Sequence, residues 1–91
     1  MSVWTEVEGK ILIKKTSGLS IRDLISSYFD EVVDLHISQK NLDFYRITVE
    51  VSFLFSEEGM YAVDIIKRFI NTVKSRDIEA SVVITAKIQF S

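Results

Sequence analysis

Between Tyr45 and Phe55 the chain alternates without a break. Tyr45, Ile47, Val49, Val51, Phe53 and Phe55 share one parity, and Phe44, Arg46, Thr48, Glu50, Ser52 and Leu54 share the other. Successive side chains of a strand point to opposite faces, so this stretch reads as a strand with one buried and one mostly polar face. Ile78, Ala80, Val82, Ile84, Ala86, Ile88 and Phe90 repeat the pattern near the C-terminus. The segment between the two has helical spacing. Such a chain calls for an antiparallel or mixed sheet covered by helices on one side, because sheets wetted on one face are an antiparallel trait. The pattern constrains architecture and says little about chemistry.

With 91 residues and 47% hydrophobic content, the chain is read as one domain over residues 1–91, large enough to fold without staples. A net charge of −2 lacks the basic excess of most nucleic-acid binders. Cysteine is absent, which excludes disulfides, thiolate metal sites and cysteine nucleophiles. Glu6, Glu8, Lys10 and Lys14 interrupt any signal-peptide core, and no apolar run is long enough to span a bilayer. The expectation is a small cytoplasmic protein of bacterial or phage type.

Val3, Thr5, Val7, Ile11 and Ile13 mark a first strand over residues 3–14, with Gly9 in its middle predicting a bulge or bend. Thr16, Ser17 and Gly18 end it. Ser20 is placed to cap a helix starting near Ile21, with Asp23 three residues on and Leu24, Ile25 and Tyr28 at helical spacing. That helix is read as ending near Glu31, after which Val33, Leu35 and Ile37 form a strand facing the core. A three-residue loop, Gln39-Lys40-Asn41, with left-handed Asn41, then predicts specific pairs: Leu35 with Tyr45, Val33 with Ile47, His36 with Phe44 and Asp34 with Arg46. Ser56 is read as the next cap, with Glu57 and Glu58 at the positive helix start. Ala62, Ile65, Ile66, Phe69, Ile70 and Val73 supply that helix's apolar stripe. The expected core comprises Val7, Ile11, Ile13, Leu24, Ile25, Tyr28, Ile47, Val49, Val51, Ile65, Ile66, Phe69, Ile70, Val82, Ile84 and Ile88.

The element order is therefore β-α-β-β-α-β, an α+β two-layer sandwich that resembles the ferredoxin-like fold across the whole chain. The resemblance implies an antiparallel sheet of strand order 4-1-3-2 with two helices on one face. That order sets Lys87 beside Glu6 and Glu79 beside Lys14, opposite charges at both ends of one strand pair.

Trp4, Leu12, Phe44, Leu54 and Val83 are the apolar residues assigned to the open sheet face, and form the candidate interaction surface. RNA-recognition modules of this fold stack bases there, but strands 1 and 3 lack their glycine- and aromatic-rich signatures, and Glu6, Glu8, Glu50 and Glu79 repel phosphate. Glu6, Glu8 and Glu50 are read as a solvated face neutralised by Lys10 and Lys87. His36 beside Asp34 is a poor metal site without a second histidine, and is expected to pack on Phe44. Lys67, Arg68, Lys74 and Arg76, with Lys14 and Lys15, are candidates for an anion or an acidic partner, though the helix dipole accounts for most of the cluster without a ligand. Gly9, Gly18 and Gly59 stand apart, so no phosphate loop exists, and nucleophile motifs are missing. No cofactor or metal is expected, and no catalytic residue is assigned. The reading is a non-enzymatic protein-interaction module, working through its open sheet face or its edges on a protein partner or a second copy of itself. The alternative is a regulatory domain sensing a small metabolite, with nucleic-acid binding a distant third.

Overall fold

The computed structural model describes residues 3–29, 31–56 and 59–90. Strand β1 (Val3–Lys14) is followed by a 3₁₀ turn (Lys15–Ser17), helix α1 (Ile21–Tyr28), strands β2 (Val32–Asn41) and β3 (Arg46–Phe55), helix α2 (Gly59–Arg76) and strand β4 (Ser81–Phe90). The four strands form one antiparallel sheet in the order β2-β3-β1-β4, the ferredoxin-like arrangement expected from the element order.

Local chemistry sets the boundaries. Gly18 takes the left-handed conformation (φ 69°) between the 3₁₀ turn and α1, where a Cβ would be strained. The Ser20 hydroxyl accepts the Asp23 N–H at 3.3 Å, the N-cap anticipated from sequence. Helix α1 ends at Tyr28, earlier than predicted, because Phe29 leaves helical geometry while its N–H still bonds the Ile25 carbonyl. Phe29 then turns into the core, its ring 4.7 Å from Phe53 and 4.9 Å from Phe55. The Ser56 hydroxyl donates to Glu31, and the expected roles of Glu57 and Glu58 lie outside the described residues.

Ten residues of β2 and ten of β3 form the hairpin, but in a different register from the one predicted. Leu35 faces Phe53 and Ile37 faces Val51, and the loop is Leu42–Tyr45. Neither Leu35–Tyr45, Val33–Ile47, His36–Phe44 nor Asp34–Arg46 forms. The predicted register would have paired β2 with only the first half of β3. The observed one brings Leu35 and Ile37 opposite the strand's buried residues, and preserves parity, so both strands keep their faces. A bulge between Val32 and Asp34 makes Val33 the extra residue and leaves it exposed, while Val32 packs on the core. No described residue other than Gly18 has positive φ, so Asn41 is not a left-handed corner.

Strand β1 runs through Gly9 without a register break against either neighbour, contrary to the predicted bulge. Glycine is needed there for space: a Cβ would sit 2.6 Å from the Val83 carbonyl oxygen and 2.8 Å from Ile84 Cγ1. The expected charge pairs are present, with Glu6 opposite Lys87 and Lys14 Nζ 2.9 Å from Glu79.

The core lies between the inward parity of the sheet and the stripes of both helices. Val7, Ile11, Ile25, Val49 and Phe69 are fully buried there, and Ile21, Phe29, Phe53, Phe55, Ala62 and Val73 are buried beyond the sequence-based list. Ile88 was expected in the core but is 48% exposed, because the helical layer does not cover that end of β4. Ile78 lies in the α2–β4 connection, not in a strand, and is 88% exposed. Among the described residues no helix is long and apolar enough to cross a membrane.

Candidate functional site

Two surfaces of the sheet differ from ordinary solvated protein: its open face and its hairpin end. On the open face, Trp4 stands one diagonal from Leu54, whose partner on β1 is Glu6. Leu12 and Val83 are diagonal neighbours farther down, since Leu12 opposes Ser81 and Val83 opposes Lys10. Eight residues of strand separate Trp4 from Leu12, about 26 Å at strand rise. Phe44 is not on this face at all, having moved into the hairpin loop. The five candidate residues therefore make two small apolar spots and one remote ring.

Polar residues fill the space between. A shallow trough is lined by Glu8, Lys10, His36, Ser38, Glu50 and Thr85, among others. Glu50 sits between Lys40 (3.5 Å) and Lys10 (4.0 Å), so its charge is balanced locally. His36 Nε2 lies 3.1 Å from Asp34 Oδ1 and faces Ser52 across the strands, away from Phe44. Among the described residues no group of three or more histidine, aspartate or glutamate side chains is gathered to hold a metal ion.

The hairpin end is built more firmly. Asp43 Oδ1 accepts the N–H groups of Tyr45 (2.8 Å) and Arg46 (2.7 Å), and Asp43 Oδ2 accepts from Arg46 Nε (3.0 Å). These bonds hold the Asp43 carboxyl below its ordinary pKa, the Tyr45 N–H contributing most. The Lys15 N–H donates to the Tyr45 carbonyl at 2.7 Å, tying the loop to the end of β1. Phe44 and Tyr45 project from this rigid turn with rings 5.1 Å apart and nearly perpendicular, 82% and 73% exposed. Beside them Lys14, Lys15, Arg46 and Glu79 complete a cleft of about 640 Å³. Glu79 raises the pKa of Lys14 through a direct hydrogen bond and its charge.

Sequence reasoning missed this cleft because it placed Phe44 and Tyr45 inside a strand. The signal was Asp43, whose side chain is suited to bond backbone two and three residues on and so competes with strand continuation. Of the cations weighed in the sequence, Lys14 at the end of β1 and Lys15 in the 3₁₀ turn line the cleft with Arg46 of β3, and the α2 group of Lys67, Arg68, Lys74 and Arg76 does not.

No protein-family model matches the sequence, and no curated protein matches it. Solved structures do. The de novo designed protein Foldit4 superposes with a TM-score of 0.70 at 13% identity, over 96% of this chain and 99% of that one. The C-terminal domain of MgtC from Mycobacterium tuberculosis gives 0.62 at 10% identity, over 91% and 87% of the two chains. CPII from Thiomonas intermedia K12, bound to ADP and bicarbonate, gives 0.54 at 9% identity, over 97% and 91%. The likeness is one of fold. A designed protein and natural proteins share it, as befits an architecture that hosts unrelated functions.

Proposed function

We propose that this protein is a small, cytoplasmic, non-enzymatic interaction module that works by pairing with a second copy of itself along strand β4. The observation that carries the reading is an asymmetry between the two sheet edges. Strand β2 is guarded as natural edges are, by a bulge at Val33 and by Asp34, His36 and Lys40. Strand β4 has ten residues, seven of them Val, Ile, Thr, Ala or Phe, and one charge, Lys87. An edge so long, flat and apolar invites another strand.

Self-pairing suits it. Antiparallel pairing across a two-fold axis anywhere from Val83 to Ala86 sets apolar residues of the inner face against apolar residues, and never sets Lys87 against its own copy. With the axis at Thr85, Val82 meets Ile88 and Ile84 meets Ala86, covering side chains that one protomer leaves exposed or half-exposed. A two-fold interface of this kind closes on itself and does not propagate. Strand pairing buries less than a standard interface, so a concentration-dependent dimer is expected.

Light scattering across a dilution series tests the reading, together with two proline variants. Backbone N–H groups alternate between the β1 side and the open side along β4, so Ile84→Pro and Thr85→Pro strike opposite sides. One should unfold or weaken the fold, while the other should stay folded and become monomeric. A wild type that is monomeric at high concentration, or a folded variant that still dimerises, would retire the proposal. Emission from Trp4 reads the competing surface: it should not change on dilution if the edge is used, and should change if open faces pair through Trp4, Leu54, Leu12 and Val83. A second reading, sensing of a small ligand, is favoured by the cleft at the hairpin end.

A further inference from the structure

We propose that the cleft between the β2–β3 loop and the end of β1 binds a mononucleotide-class ligand, a planar ring system carrying phosphate. This inference rests on the ligand-sensing reading and adds the chemical class. The turn itself needs only Asp43, whose carboxylate accepts the Tyr45 and Arg46 N–H groups. Aromatic rings contribute nothing to that bonding, yet Phe44 and Tyr45 both stand exposed on it. Two rings set edge to face on a backbone fixed by Asp43 offer an exposed face for stacking.

Charge selects the anion. Lys14 is matched by Glu79 at 2.9 Å and Arg46 by Asp43 at 2.9 Å. Asp77 lies behind the cleft with its carboxylate taken up by the Lys14 and Glu79 N–H groups, and Lys15 has no acidic partner among the described residues, so one cation on the lining is left to meet an anion. Lys15 can turn its ammonium towards a phosphate at the mouth of the cleft, and Thr16 stands on the same lining. Glu79, exposed on the same lining, offers a carboxylate acceptor to ring amino or sugar hydroxyl groups. At about 640 Å³ the cleft falls within the range of small-molecule sites. A flat anionic surface needs no cleft.

The probes are AMP, adenosine, inorganic phosphate and benzoate, titrated into the full chain and followed by amide NMR shifts. AMP should shift Lys15, Tyr45 and Arg46, and adenosine or phosphate alone should bind at least about tenfold more weakly. Tyr45→Ala and Phe44→Ala should each weaken AMP binding by roughly tenfold or more, the usual worth of a stacked base, without changing the melting temperature. Lys15→Gln should weaken AMP and leave adenosine unchanged. Shifts from benzoate at these amides with AMP silent would overturn the nucleotide class while keeping a small-ligand site. Silence towards every probe would overturn both. Sedimentation with phosphatidylglycerol vesicles that depends on Phe44 and Tyr45, with AMP inert, would reassign the end to a membrane surface.

Discussion

At the residue scale, Asp43 has the widest reach for its size. Its carboxylate holds the turn, and the turn holds the two exposed rings. Because the folded-state pKa is lowered, chiefly by the Tyr45 N–H, the carboxylate's contribution is complete above the ordinary value of 3.8. It is lost as pH falls through the lower folded value. Protection of the Tyr45 and Arg46 amides should therefore persist down to that range and then drop, which hydrogen exchange read by NMR will follow. In Asp43→Ala the same amides should exchange rapidly at neutral pH. A titration centred well above 3.8 would show that another group governs the turn. Burial decides a second pair of residues. Phe29 is 3% exposed among three other phenylalanines, so Phe29→Ala should cost about 3–5 kcal/mol in chemical denaturation. Ile88→Ala should cost under about 1 kcal/mol in the monomer, as surface substitutions do. Equal costs would mean that the end of β4 is covered after all.

At the scale of elements, β1 is the strand on which both halves of the sheet depend, and two devices fix it. Gly9 admits β4 to within 2.6 Å of where a Cβ would lie. Gly9→Ala should thus destabilise by roughly 1–3 kcal/mol through overpacking, visible as a lowered denaturation midpoint. A neutral result would show that β4 can shift outward without loss. Asp77, 5% exposed, accepts the Lys14 N–H at 2.8 Å and the Glu79 N–H at 3.1 Å, joining the end of β1 to the approach to β4. The order of elements and the bounds of β1 were legible because alternation and a capped helix are local signals. The 4-1-3-2 order came instead from the resemblance to the ferredoxin-like fold, with the Glu6–Lys87 and Lys14–Glu79 pairs in support. The hairpin register was not legible. Parity limits which faces meet, but several registers satisfy it, and the choice among them was made by packing of Leu35 and Ile37 against β3 and by Asp43's hold on the backbone. For the same reason the cleft escaped notice: a ring inside an alternating run looks like strand until a side chain upstream stops the strand. Gly9 was recognised as special, but its reason, a close approach from β4, is a tertiary fact. Phe29, four residues on from Ile25, fits the expected helical stripe but is missing from the expected core, and its burial against Phe53 and Phe55 follows from the helix ending at Tyr28.

On the scale of the whole molecule, the sheet is longer than the helices that cover it. The principal extents are 47 × 22 × 18 Å, and the Cα radius of gyration is 13.2 Å, above the roughly 12 Å of an average compact chain this long. Length runs along the strands, so the two candidate surfaces lie in different directions: the β4 edge to the side, the aromatic cleft at the end. Association through each therefore has its own shape. Pairing along β4 displaces the protomer centres by about four strand spacings, close to 19 Å, and should raise the radius of gyration only to about 16 Å. Association end to end through the hairpin tips would separate the centres by about the full length and give well over 20 Å. Small-angle scattering across a concentration series separates these outcomes. We expect the value to climb from near 13 Å to about 16 Å, and to stay at the lower value in whichever proline variant of Ile84 or Thr85 remains folded. A limiting value above 20 Å would assign self-association to the aromatic end and leave β4 an unprotected edge without a partner.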